Sequence, residues 1–300
     1  MSSQLNRGSV PFVRGSSKVV GVFGFPVEHS LSPAMHNAAF AALGLPYIYV
    51  PFPVPPGAIG PAIRSLPVLG IVGVNLTIPH KESVLPFLDV VTDEARDIGA
   101  VNTVHCVEGR LIGDNTDGRG FYEPLRQAGL DMKNKRVVVL GAGGAARAVL
   151  FRLAREGALV TLVNRTPERA QRLADSVRQT GIAASTVTVI DFDDVERLRL
   201  EIKAARMLVQ TTRVGMHPNA GEVPPIPPDA LHPDLIVYDL VYNPVATALL
   251  QLAKARGCRV MTGVKMLVYQ GAAAFERWTG VWPPTDIMEA AVLEGLGQPP

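Results

Sequence analysis

The run Arg136-Val-Val-Val-Leu140 leads directly into Gly141-Ala142-Gly143-Gly144-Ala145-Ala146-Arg-Ala-Val-Leu150, and no other stretch of this 300-residue chain restricts its fold as tightly. A run apolar on both faces suits a central strand of a parallel sheet, because such a strand is covered on either side. Gly141 supplies a tight turn, Gly143 lets the backbone approach an anion, and the small Ala146 permits close helix–strand packing. The helix that opens at this loop points free N–H groups and a partial positive charge at the anion. Strand, turn and helix in this order form the Gly-x-Gly-x-x-Ala fingerprint of dinucleotide binding, inside a Rossmann-like doubly wound unit.

About 20 residues on, the strand-like run Leu159 to Val163 ends in Asn164-Arg165-Thr166. An acidic residue here would hold the ribose 2′-hydroxyl of NAD, whereas a planar guanidinium suits a 2′-phosphate. The cofactor implied is NADP. One charge-assisted contact of about 1.5–3 kcal/mol would favour it by about 10- to 100-fold. Arg169 is placed one helical turn on, either to reinforce that contact or as a solvated surface charge. Thr166, before Pro167, also reads as a helix N-cap.

Alternating segments fill the rest. Strands are expected at Lys18 to Phe23, Tyr47 to Phe52, Ile71 to Leu76 and Val101 to Val107. Helices are expected from Ser32-Pro33, near His80 to Leu88 and over Thr92 to Ile98. The alternation predicts parallel pairing and a sheet covered on both faces. After a helix near Gly118 to Ala128, further strands recur at Val187 to Ile190, Met207 to Thr211, Ile236 to Leu240 and Arg259 to Met261. The proline-rich stretch Pro218 to Pro228 reads as a surface loop. Helices over Met266 to Trp278 and Ile287 to Leu296 have no strands beside them and are expected to pack back on the first unit. The fold class is therefore α/β with two domains. Residues 1–17 form a loose leader, 18–117 with 264–300 bind substrate, and 118–263 bind the nucleotide.

Hydrophobic residues at 47% and charged residues at 19% describe a folded globular chain. The net charge of +2 is spread without a basic stripe, which argues against a nucleic-acid partner. No apolar run reaches the roughly 20 residues that cross a bilayer, and the first 17 residues lack a signal-like apolar core, so a cytoplasmic protein is expected. Cys106 and Cys258 are expected to be buried, reduced thiols. The histidines show no ligand spacing, so no metal is expected.

Three segments stand out in the first unit: Gly24-Phe-Pro26-Val-Glu-His-Ser30-Leu-Ser32-Pro33-Ala-Met-His-Asn37, Gly73-Val-Asn75-Leu-Thr77-Ile-Pro79-His-Lys81-Glu82, and Gly99-Ala-Val-Asn102-Thr103 with Gly113-Asp-Asn-Thr116-Asp117-Gly118. With the Gly141 loop, Asn164-Arg165-Thr166, Thr211-Thr-Arg-Val-Gly215-Met, Asp239-Leu-Val-Tyr242-Asn-Pro244 and Met266-Leu-Val-Tyr-Gln270-Gly-Ala, they closely resemble the signature segments of the shikimate dehydrogenase family. The resemblance runs from about Lys18 to Trp278, in the family's order.

The resemblance implies reversible reduction of 3-dehydroshikimate to shikimate with NADPH, a step of aromatic amino-acid biosynthesis, in a monomer or homodimer. It implies that Ser30 and Ser32 bind the substrate carboxylate with help from Tyr242. Asn75, Thr77, Asn102, Asp117 and Gln270 would hold the ring hydroxyls. Lys81 and Asp117 would be the catalytic pair, the ammonium stabilising the oxygen that becomes negative as hydride arrives. Pairing with Asp117 favours a charged Lys81 and burial a neutral one, and both states fit the pattern. Gly141, Ala142, Gly143, Gly144, Ala145, Asn164, Arg165, Thr166, Arg169, Thr211 and Gly263 would line the cofactor site. Taken singly, Ser32 also reads as a helix N-cap, and Asn75 or Asn102 as a satisfier of strand-end backbone. A quinate or aminoshikimate dehydrogenase of the same family, and a noncatalytic NADP-binding regulator, are the competing readings.

Overall fold

The computed structural model describes residues 13–182 and 187–298, so the part of the expected leader at 1–12 lies outside the described residues. The first sheet is built from β1 (Lys18–Gly24), β2 (Tyr47–Pro53), β3 (Ile71–Leu76), β4 (Val90–Val91), β5 (Thr103–Val107) and β6 (Arg110–Asp114). Between them lie α1 (Ser32–Ala42), α2 (Ile59–Arg64), α3 (Leu66–Leu69), α4 (His80–Ser83) and α5 (Asp93–Ile98). The strand order is β2-β1-β3-β5-β6-β4.

This sheet is mixed, where alternation alone predicted a parallel one. β5 runs antiparallel to β3, and β6 antiparallel to β5. The β5–β6 reversal has a local cause: Glu108 and Gly109 both take positive φ, 49° and 77°. That is the two-residue hairpin geometry that matches strand twist. Two boundaries also differ. Pro86 has no N–H to continue a helix, so the expected His80 to Leu88 helix stops at Ser83 and resumes as a single 3₁₀ turn over Leu85–Phe87. Ser32 is not the cap of α1 either. Leu31 occupies that position in a helical conformation, and the Ser32 backbone N–H instead donates to Ser30 Oγ at 3.3 Å.

The second unit follows α6 (Asp117–Gln127): β7 (Arg136–Leu140), α7 (Gly144–Arg155), β8 (Leu159–Asn164), α8 (Pro167–Gln179), β9 (Val187–Asp191), α9 (Val195–Ala204), β10 (Met207–Gln210), β11 (Ile236–Asp239), α10 (Ala248–Ala255) and β12 (Arg259–Met261). All its strand pairs are parallel, in the order β12-β11-β10-β7-β8-β9. This is the doubly wound dinucleotide-binding order, with its switch point between β7 and β10, where a crevice opens at the strand ends.

The chain then returns through α11 (Gly263–Thr279) and α12 (Thr285–Gly295). Val264, Val268, Ala272 and Phe275 of α11, with Met288 and Val292 of α12, share one core with Val20 and Val22 of β1. Trp278 Nε1 donates to Val104 O at 3.1 Å, which pins α11 to the first sheet. On the other side α11 meets α6 so closely that a Cβ on Gly120 would lie 2.6 Å from the backbone nitrogen of Gln270. Cys258 is buried, whereas Cys106 is only half-buried, a departure from expectation that follows from its place in the hairpin. Both are free thiols that burial pushes up in pKa. Among the described residues no helix is long and apolar enough to cross a membrane, and no group of three or more acidic, His or Cys side chains is placed to hold a metal.

Candidate active site

β3 ends at Leu76, and the turn that follows starts α4 with Lys81 in its first turn. β6 ends at Asp114, and Asn115 and Thr116 lead into α6, which begins with Asp117. The two paths converge so that Lys81 Nζ lies 2.5 Å from Asp117 Oδ2, with the Lys81 side chain 27% exposed and that of Asp117 7%. The other Asp117 oxygen accepts from Asn102 Nδ2 at 2.8 Å, and its backbone N–H donates to Asn115 Oδ1 at 3.0 Å. A buried carboxylate is tolerable only when its lone pairs are answered in this way.

Asn102 is itself held. Its Oδ1 accepts from the Thr116 N–H at 2.8 Å, and its Nδ2 lies within 3.4 Å of Gln270 Oε1 on α11. Asn75 Nδ2 donates to Thr103 Oγ1 at 3.0 Å and to Asn102 O at 3.2 Å, while Asn75 Oδ1 accepts from the Tyr49 hydroxyl at 2.8 Å. The strand-end role expected of these asparagines is therefore real, and it coexists with exposure to a cleft.

That cleft has a volume of about 220 Å³ and lies between the two sheets. All nine residues expected at the catalytic and substrate positions line it: Ser30, Ser32, Asn75, Thr77, Lys81, Asn102, Asp117, Tyr242 and Gln270. Ala145, Leu240 and Gly263 close its other wall. Burial pushes the Tyr242 phenol up, so it stays a hydroxyl donor. A second cavity of about 650 Å³ continues from the first, sharing His29, Ser30, Ala145, Leu240 and Tyr242, and reaches Thr211 and Thr212 after β10.

The glycine loop sits on the edge of this crevice. Gly141 has a φ of +105°, and a Cβ there would stand 2.7 Å from Thr211 Oγ1, so only glycine fits. Thr211 Oγ1 in turn donates to Leu140 O at 2.6 Å. Ala142 and Ala146 are buried against the sheet. Gly143 and Gly144 face open space at the N-terminus of α7. Gly263 lets α11 start against the chain, since a Cβ would come within 2.4 Å of Leu240 O. Asn164 Nδ2 closes the turn after β8 by donating to Thr166 O at 2.9 Å. Thr166 holds the N-cap position of α8 but makes no side-chain cap bond. Arg165 and Arg169 are exposed and form no ion pair among the described residues. These residues after β8 line neither cavity. An open glycine cradle at a helix N-terminus, with unpaired guanidinium groups one strand away, fits a phosphate-bearing dinucleotide.

The sequence reading missed Tyr49, Thr103, Asn115 and Thr116, which hold Asn75, Asn102 and Asp117 in place. The last three sit inside segments already singled out, whereas Tyr49 carries no signal beyond strand alternation.

A shikimate dehydrogenase (NADP(+)) of Methanopyrus kandleri is 51% identical to this chain over 287 residues, covering 95% of this chain and 98% of that protein. This chain belongs to the shikimate dehydrogenase family. The same name is carried by a protein of Moorella thermoacetica, 48% identical over 95% of this chain and 96% of its own length. Family models for the shikimate dehydrogenase substrate binding domain, shikimate / quinate 5-dehydrogenase and the shikimate 5′-dehydrogenase C-terminal domain match residues 22–104, 125–205 and 263–293. Among solved structures, a shikimate dehydrogenase in complex with NADP+ has a TM-score of 0.91 at 40% identity, covering 97% of this chain and 99% of that one. A quinate dehydrogenase from Corynebacterium glutamicum in complex with NAD has a TM-score of 0.85 at 32% identity, covering 93% and 99%.

Proposed function

We propose that this chain is an NADP-dependent shikimate dehydrogenase, reversibly reducing 3-dehydroshikimate to shikimate. The observation that carries the reading is the Lys81–Asp117 pair on a cleft whose opposite wall, at Ala145, belongs to the helix of the glycine loop. In this reading residues 18–117 with 264–300 hold the substrate and 118–263 hold the nucleotide.

Ser30, Ser32 and the Tyr242 hydroxyl donate to the substrate carboxylate, and Asn75, Thr77, Asn102 and Gln270 hold the ring hydroxyls. NADP, when bound, supplies or accepts the hydride. As a ketone is reduced its oxygen gains negative charge, and Lys81 Nζ stabilises that charge and hands over a proton. Asp117 orients the ammonium through Oδ2 while Asn102 occupies Oδ1, so the carboxylate cannot rotate away. In the oxidative direction the same nitrogen takes the hydroxyl proton. Gly141, Ala142, Gly143, Gly144, Ala145 and Thr211 shape the pyrophosphate and nicotinamide side, with Gly263 at the domain crossing. Asn164, Arg165, Thr166 and Arg169 receive the 2′-phosphate.

Quinate dehydrogenation is the second reading, favoured only by the likeness to the quinate dehydrogenase, and Arg165 weighs against its NAD-bound form. An absorbance assay at 340 nm with shikimate or quinate and NADP or NAD separates them. The proposal expects shikimate with NADP to be turned over fastest. Faster turnover of quinate, or no turnover of either acid, would overturn it.

A further inference from the structure

Arg147 stands one turn into α7, and its backbone N–H donates to Gly143 O at 3.0 Å, so it moves with the glycine loop. Its guanidinium is half-buried and has no carboxylate partner among the described residues. A cation in the first turn of a helix opposes the macrodipole, so something else must compensate it. Arg147 Nη1 donates to Ile98 O at 2.9 Å, across the gap between the two sheets. Ile98 ends α5, where carbonyls lack helical partners and carry the negative end of the dipole. The contact satisfies an orphan acceptor and sets the cation against the negative end of α5.

The segment that begins at Ile98 runs straight to the catalytic pair. The Val101 N–H donates to Lys81 O at 2.7 Å, and Ala100 O accepts from Asn115 Nδ2 at 2.9 Å. Asn115 Oδ1 accepts from the Asp117 N–H, and Asn102 Nδ2 reaches Asp117 Oδ1. We infer that Arg147 is a positioning residue, a strut that ties the glycine loop to the segment holding Lys81 and Asp117 and so aligns the nicotinamide with the substrate carbon. Arg155 makes an outer contact between the same helices, to Asp97 at 2.7 Å, but that pair is surface-exposed and does not touch the segment leading to Asn102. The inference rests on the dehydrogenase reading above.

The test measures three quantities for wild type, R147M and R147K: kcat with shikimate and NADP+, the Kd of NADP+ by calorimetry, and the kinetic isotope effect with shikimate deuterated at the reacting carbon. A strut predicts that R147M lowers kcat by about 10- to 100-fold, the scale of a misplacement of about 1 Å. It also predicts a Kd within about 3-fold of wild type and a larger isotope effect, because hydride transfer becomes slower relative to release. R147K keeps one donor and should fall between the two. An R147M kcat within about 2-fold of wild type overturns the inference, as does a Kd raised by about 10-fold or more with kcat intact, which would mean that the guanidinium contacts a phosphate instead. If melting shows R147M unfolded, R147K decides: kcat lowered by about 3-fold or more with a raised isotope effect supports the strut, and wild-type values overturn it. A wild type inactive on shikimate sinks the dehydrogenase reading, whereas an active wild type matched by R147M sinks the strut alone.

Discussion

Replacing His36 with Leu removes a titrating group that burial keeps from taking up a proton. The imidazole is 0% exposed, and neither ring nitrogen has a hydrogen-bond partner. It stacks on Tyr49 at 4.3 Å and is boxed by Phe40, Phe275 and Trp278. Burial lowers its pKa from 6.5 to about 3. The unfolded chain takes up a proton below pH 6.5 that the folded chain refuses, so stability is lost as pH falls from 6.5 toward 3. The loss attributable to His36 is negligible at pH 7, about 2 kcal/mol at pH 5, and about 5 kcal/mol at its limit. Asp239 works in the opposite sense, because burial raises its carboxyl from 3.8 to about 6 and stability is lost as pH rises through that window. Between pH 5 and 7 it offsets about 1 kcal/mol of the His36 effect. A comparison of variant with wild type at each pH cancels Asp239. Denaturant unfolding at pH 5 and 7 should therefore show wild type losing about 2 kcal/mol more than H36L, whatever their absolute stabilities. Parallel stability–pH curves for the two proteins would refute the assignment of the proton penalty to this ring.

Lys81→Ala should lower kcat by at least about 100-fold with little change in shikimate binding, read from steady-state rates and calorimetry; near-normal turnover removes Lys81 from its role. Arg165→Asp should shift preference toward NAD, and an unchanged ratio of kcat/KM for NADP over NAD would mean that the 2′-phosphate is held elsewhere. Gly120→Ala forces a Cβ against the Gln270 backbone and should destabilise by about 1–3 kcal/mol, lowering Tm by about 2–8 °C; a Tm equal to wild type would show that α6 and α11 part freely. Because substrate and nucleotide residues lie on different units, small-angle scattering with both ligands should show compaction, and identical curves with and without them would argue against closure.

Much of this was legible in the chain alone. The parallel sheet of the second unit, its glycine turn and the expected NADP preference rest on local rules: period, turn chemistry and the residue that ends β8. The candidate substrate and catalytic residues were named through the family resemblance that short segments at strand ends carry, and the structure brings all nine of them to one cleft. What stayed hidden is of two kinds. The β5–β6 hairpin depends on Glu108-Gly109, a weaker turn signal than Asn-Gly, so the antiparallel pairing of β5 with β6 was not expected. Ser32 and Asn75 show the second kind, since their hydrogen-bond partners, not their spacing, decide whether they cap, support or face the cleft.

Which side chains are present and what local backbone each segment prefers follow from residue order alone, because helix period, glycine turns and proline breaks act within a few residues. Which of them meet is set by long-range packing. Lys81 and Asp117 are 36 positions apart, and Asn102 and Gln270 are 168 apart. The Arg147 contact to Ile98 and the aromatic box around His36 likewise join distant segments. Such contacts form when apolar faces of both sheets are withdrawn from water together, and no window of neighbouring residues encodes that arrangement.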